Sequence, residues 1–147
     1  MGTIQRLSDI RNEAGMSQAK LSEELGVTQQ AINTYENSDK DIMTSTILRI
    51  ADYFNVSVDY LMGISESKDI LEPRSNDECY KRIGDIRRLK RLSQKQMAEL
   101  LGVSQQQVGR FESGKYDLSG KRFLQIAEVC DVSLDYLAGR TIDSTRR

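Results

Sequence analysis

Ser93-Gln94-Lys95-Gln96-Met97-Ala98-Glu99-Leu100-Leu101-Gly102-Val103-Ser104-Gln105-Gln106-Gln107-Val108-Gly109-Arg110-Phe111-Glu112 is the stretch from which the rest of the chain can be read. Ser93 and Ser104 are each followed three residues later by Gln. At that spacing a cap hydroxyl and a Gln side chain exchange hydrogen bonds with each other's backbone. Each Ser therefore starts a helix. Gly102 closes the first one, because glycine reaches the left-handed conformation that ends a helix without steric penalty. The stretch reads as two helices of about eight residues joined by a tight turn.

The same pattern stands 76 residues earlier. Ser17-Gln18 returns as Ser93-Gln94, Leu25-Gly26-Val27 as Leu101-Gly102-Val103, and Gln29-Gln30 as Gln105-Gln106. Val56-Ser57-Val58-Asp59-Tyr60-Leu61 returns as Val132-Ser133-Leu134-Asp135-Tyr136-Leu137. From Leu7/Ile83 to Gly63/Gly139 the register holds without a gap, and 22 of the 57 aligned pairs are identical. So long a period does not fit stacked solenoid repeats and implies two tandem domains of one fold.

Each copy is expected to hold five short helices, which makes the chain all-α. In the first copy they run from about Ile4 to Ala14, Gln18 to Leu25, Gln29 to Asn37 and Thr44 to Phe54, with a short one capped by Ser57. Leu7, Ile10, Ile32, Tyr35, Ile47, Leu48, Ile50, Ala51 and Phe54 fall on inner faces, as do Tyr60, Tyr136 and Cys130. In the second copy, Ser75 and Glu78 form a further capping box, so its first helix is expected to start near Asn76. The domain plan is 1–63, a linker over 64–75, a second domain over 76–139 and a frayed basic tail over 140–147.

Composition narrows the chemistry. The chain has 147 residues, 38% hydrophobic and 6% aromatic, with one Pro, which fits small helical domains. It contains no His, so the commonest general base and the commonest metal ligand are missing. Two Cys, Cys79 and Cys130, cannot build a disulfide framework and read as reduced thiols. No Gly-rich phosphate loop, Cys cluster or paired carboxylates are found. No enzyme, no cofactor, no metal site and no small-molecule ligand are expected. With no targeting signal or membrane-spanning run, the expected place is the cytoplasm. The formal net charge of −1 conceals a division: −4 over residues 1–63, −3 over 64–78 and +6 over 79–147. An acidic copy is joined by an acidic linker to a basic copy, which points to different partners for the two.

Both copies resemble the lambda-repressor-like helix-turn-helix domain, the Cro/phage-repressor (XRE) family. The first carries Ser17-Gln18, Leu21, Leu25-Gly26-Val27-Thr28-Gln29-Gln30, Ile32, Tyr35-Glu36-Asn37, Ile50-Ala51 and Val56 to Leu61, and the second carries the matching set. The resemblance implies that the third helix of a copy enters the major groove of double-stranded DNA while the second crosses the backbone. The implied base-facing residues are Thr28, Gln29, Gln30 and Thr34, and Ser104, Gln105, Gln106 and Arg110. Gln bridges adenine N6 and N7, and Arg bridges guanine O6 and N7, each worth about 1–3 kcal/mol of discrimination. Gln18 and Gln94, at helix N-termini, suit phosphate oxygens. Lys115, Lys121 and Arg122 flank the groove as phosphate contacts, where the first copy has Asp39, Ser45 and Thr46. Arg11 with Glu36, and Arg87 with Glu112, correspond to a structural ion pair of the family. The family's usual Pro before the fourth helix is replaced by Ile42-Met43 and Leu118-Ser119. Gly109, in mid-helix, either admits close approach of a duplex or is merely tolerated.

The expected function is a sequence-specific DNA-binding transcriptional regulator, a repressor, acting chiefly through the basic copy. The acidic copy either binds DNA more weakly or forms a homodimer. The alternative is an antitoxin or adaptor whose acidic copy holds a protein partner, with DNA binding as autoregulation. Adjacent half-sites lie about 34 Å apart. A linker of about a dozen residues reaches at most about 40 Å, so both copies can engage one duplex.

Overall fold

Hydroxyl side chains decide where the helices begin. The Oγ of Ser17 accepts from the Lys20 N–H, Oγ1 of Thr28 from Ala31 and Oγ of Ser57 from Tyr60, each at 3.0 Å. Ser93, Ser104, Ser119 and Ser133 do the same in the second copy. A computed structural model describes residues 4–70, 82–141 and 143–145. Among the described residues every regular element is a helix. The chain divides after Asp69 into two units. The first unit holds α1 (Leu7–Glu13), α2 (Gln18–Leu25), α3 (Gln29–Asn37), α4 (Thr44–Phe54) and α5 (Val58–Leu61). The second holds α6 (Arg82–Leu89), α7 (Gln94–Leu101), α8 (Gln105–Glu112), α9 (Gly120–Cys130) and α10 (Leu134–Leu137). Both Ser-Gln capping boxes of the second unit are formed. Gly26 and Gly102 end α2 and α7 in the left-handed conformation, at φ 68° and 70°.

The two cores are built from equivalent positions. Leu7, Leu21, Ile32, Ile47, Ile50 and Leu61 are fully buried in the first unit. Ile83, Met97, Val108, Phe123, Ile126 and Leu137 are their equivalents in the second, and all are buried. Each such side chain contributes about 1.5–3 kcal/mol relative to exposure. Burying Ile32 and Val108 turns the first residues of α3 and α8 outward, because neighbours in a helix lie about 100° apart.

Several expectations are corrected. Helix α1 starts at Leu7, not at Ile4, because the N–H groups before it are taken by other elements. Ile4 donates to the Tyr35 carbonyl at 3.3 Å and Arg6 to the Leu61 carbonyl at 3.1 Å. Tyr60 and Tyr136 are half-buried rather than core. Their rings carry Arg6 at 4.3 Å and Arg82 at 4.2 Å, a cation–π arrangement. Residues 64–68 are not free linker. Ser57 donates from its N–H to the Lys68 carbonyl at 2.8 Å and from Oγ to the Ser67 carbonyl at 2.9 Å. Arg6 donates to the Ser65 carbonyl and pairs with Glu66 at 2.8 Å, and Lys68 pairs with Glu13 at 2.8 Å.

Residues 140–141 and 143–145 are not a frayed tail either. The Ser133 N–H donates to the Ser144 carbonyl at 3.1 Å. Arg140 and Thr141 are buried, and Arg140 Nη1 lies 2.6 Å from Asp135 Oδ1. Each unit thus ends in a strap over its last helix, and the structural repeat runs beyond the aligned sequence. The bonds common to both straps are accepted by backbone carbonyls, while the ion pairs that hold them differ, Arg6–Glu66 and Lys68–Glu13 in the first and Arg140–Asp135 in the second. The capping box at Ser75 and Glu78, the helix start near Asn76, Pro73, Cys79 and Lys81 lie outside the described residues.

Candidate nucleic-acid interface

One carboxylate per unit ties three helices together behind the candidate surface. In the first unit Arg11 Nε lies 2.8 Å from Glu36 Oε1, and Gln18 Nε2 donates to Glu36 Oε2 at 3.1 Å. Arg11 Nη1 also donates to the Met16 carbonyl at 2.7 Å, closing the turn between α1 and α2. The second unit repeats this: Arg87 Nε to Glu112 Oε1 at 2.9 Å, Gln94 Nε2 to Glu112 Oε2 at 3.0 Å, and Arg87 Nη1 to the Leu92 carbonyl at 2.8 Å. Gln18 and Gln94, expected at phosphates, therefore each commit one amide hydrogen inward. The amide keeps a second N–H and its carbonyl oxygen.

Ahead of this hub, α8 presents its first turn. Ser104 Oγ accepts from the Gln107 N–H at 3.2 Å, and Gln107 Oε1 accepts from the Ser104 N–H at 3.1 Å. This reciprocal pair anchors the helix start. Gln105 and Gln106 stand exposed in that turn, and Arg110 is exposed one turn later. None of these three side chains has a hydrogen bond within the described residues. In α3 the corresponding Gln29 and Gln30 are also exposed. Ala31 replaces Gln107, so Thr28 caps without the return bond. Thr34 Oγ1 donates back to the Gln30 carbonyl at 3.0 Å, and Asn37 Nδ2 donates to Asn33 Oδ1 at 2.7 Å. Thr28 and Ser104 use their oxygens as cap acceptors and keep the hydroxyl hydrogen to donate.

Equivalent clefts separate each of these helices from the loop that follows. The second-unit cleft, about 280 Å³, is lined by Arg110, Phe111, Tyr116, Asp117, Ser119 and Arg122. The first-unit cleft, about 270 Å³, is lined by Thr34, Tyr35, Lys40, Asp41, Met43 and Thr46. Where the second unit has two guanidinium groups the first has two Thr. Lys115 and Lys121 are exposed beside α8. Arg122, expected at a phosphate, commits one guanidinium nitrogen inward. Its Nη1 donates to the Leu101 carbonyl at 3.1 Å and to Gln125 Oε1 at 2.7 Å, and its guanidinium lies 5.9 Å from the Phe111 ring centre. The physical reason is the open carbonyl end of α7, which attracts a cation. Arg49 does the same for α2, donating to the Leu25 carbonyl at 2.5 Å.

Sequence reasoning missed Arg49, Arg6 and Arg82. The last two were within reach: the 76-residue offset pairs them one position before the aligned segment.

The Ser119 cap occupies the place of the missing Pro, with its Oγ accepting from the Arg122 N–H at 3.2 Å. Met43, its equivalent, has no side-chain cap bond. No helix among the described residues is long and apolar enough to cross a membrane.

A helix-turn-helix family model matches residues 7–61 and again residues 83–137. The HTH-type transcriptional regulator ImmR of Bacillus subtilis (strain 168) is 36% identical over 66 residues, 45% of this chain and 52% of that protein. The uncharacterized HTH-type transcriptional regulator YobD of the same organism is 28% identical over 72 residues, 49% of this chain and 64% of that protein. The chain thus spans between half and two thirds of the length of these relatives. No solved structure matches it.

Proposed function

The chain belongs to the helix-turn-helix family, and we propose that it is a transcriptional regulator that reads double-stranded DNA chiefly through α8. The observation that carries this reading is the uncommitted trio Gln105, Gln106 and Arg110, held on the exposed face of a helix whose start is fixed by a complete capping box. In the major groove such a helix presents two amides and a guanidinium to base edges. Lys115 and Lys121 then meet phosphates on either side, and the +6 charge of residues 79–147 supplies counterion release. The first unit has the same amide pair and Lys40 beside its cleft, but Asp39 and Ser45 in place of Lys115 and Lys121, so its contribution is the smaller. A protein seated this way excludes other proteins from the same DNA, which makes repression the expected outcome.

Partner capture by the acidic unit receives no comparable support. The large exposed apolar side chains are divided between the units, with Met43 and Tyr53 in the first and Leu89, Leu100 and Tyr116 in the second.

Fluorescence anisotropy of the full chain on a pooled random 30-base-pair duplex, across a salt series, tests the reading. Affinity is expected to fall steeply with salt. Replacing both Lys115 and Lys121 by Ala should reduce the logarithmic slope by about two. Replacing Asp39 and Ser45 by Ala should leave the slope negative and no shallower. Absence of binding at low salt, or a slope that ignores the Lys pair, overturns the proposal.

A further inference from the structure

The two reading helices agree in their first turn and differ in their second. Both offer adjacent Gln residues, Gln29-Gln30 and Gln105-Gln106, whose amides suit adenine. One turn on, α8 has Gly109-Arg110 and α3 has Asn33-Thr34. Arg110 is exposed, with no hydrogen bond to any described residue, and its planar fork of donors matches guanine O6 and N7. A Cβ built at Gly109 meets no atom within 4 Å, so the helix surface next to Arg110 is open at Gly109. In α3, the Thr34 hydroxyl is turned back to the Gln30 carbonyl, which leaves the methyl as its outward group. A methyl group matches the C5-methyl of thymine and makes no use of guanine. Asn33 accepts from Asn37 Nδ2 at 2.7 Å through Oδ1 and keeps its amide N–H donors, but it carries no charge and lacks the planar fork of a guanidinium.

We infer that the preferred DNA target is not a palindrome: it joins two unlike half-sites, one read by α8 as adenine followed by guanine, the other read by α3 as adenine followed by thymine. This inference rests on the DNA-binding reading above. One chain carrying two different readers needs no second copy to complete the site. Arg110 is the residue that makes the halves differ, and its contact is expected to favour guanine about tenfold or more at one position.

The test is selection of random duplexes by the full chain, followed by sequencing. The expected product is a two-part motif with unlike halves and guanine in one of them. Selection with Arg110→Thr should erase that guanine column and keep the adenine columns. The substitution is on an exposed side chain, and thermal melting of the variant checks that the fold is kept. A palindromic motif, a single half-site, or a guanine column that survives Arg110→Thr overturns the inference while leaving DNA binding intact. A pool returned without enrichment removes the DNA-binding reading itself, and the inference with it.

Discussion

Glu36 and Glu112 each accept hydrogen bonds from an Arg on the first helix of the unit and a Gln on the second. Removing such a carboxylate leaves a buried guanidinium without its counter-charge, which costs far more than the pair contributes net. Glu36→Ala is expected to destabilise the first unit by about 3 kcal/mol. Glu112→Ala should cost less, because the Glu112 side chain is 11% exposed against 1% for Glu36. Urea unfolding of the two variants checks both the loss and its order. Gly109 is a different case. Its missing Cβ serves no contact in the unit, so Gly109→Ala should stabilise α8 by about 0.5–1 kcal/mol, read as a rise in melting temperature. At this scale the ion pairs and the exposed Gln residues were legible from the 76-residue offset. The commitments of Gln18, Gln94 and Arg122 were not. Each depends on a carboxylate or a helix-end carbonyl brought near by folding, and no spacing along the chain records that.

Helix boundaries were legible wherever a side chain makes the cap. Ser17, Thr28, Ser57, Ser93, Ser104 and Ser133 all begin helices where their spacing predicts. The start of α1 and the two straps were not legible, because the bonds that recur there run to backbone carbonyls, which no residue type marks, and the strap ion pairs do not repeat at the 76-residue offset. Ser104→Ala removes the Oγ half of a capping box, leaves the backbone N–H bond to Gln107 Oε1, and should cost about 1 kcal/mol. It should also weaken DNA binding, since Gln105 and Gln106 are held by that first turn. Circular dichroism melting and anisotropy on one sample separate the two effects. On α9, burial pushes the Cys130 thiol pKa up, only partly opposed by Lys90. The thiol thus stays protonated at neutral pH, and the thiolate that reacts with alkylating agents is scarce. Mass spectrometry after iodoacetamide treatment should find Cys130 unlabelled in the folded chain and labelled in urea. Labelling of Cys130 under native conditions contradicts this burial.

The whole molecule is an unequal pair. The repeat gives two similar units of opposite charge, −4 over residues 1–63 and +6 over 79–147; on the proposed reading phosphate repels the first and draws the second. Because the first strap holds the chain through Lys68, the connection to α6 is residues 69–81, thirteen residues reaching at most about 45 Å. That is enough for half-sites about 34 Å apart. Tethering at about millimolar effective concentration is then expected to tighten binding to a paired site by about 10²–10⁴ relative to a single half-site. Anisotropy on duplexes carrying one or both halves measures this gain. The central claim, that α8 is the principal reader, has a more direct test. The full chain is compared with two variants, Gln105→Ala/Gln106→Ala/Arg110→Ala and Gln29→Ala/Gln30→Ala/Thr34→Ala, by anisotropy titration on the duplex that the unaltered chain selects. The α8 variant should lose about a hundredfold or more in affinity with its melting temperature unchanged, and the α3 variant should lose less. An α8 variant that binds as tightly as the unaltered chain contradicts the account.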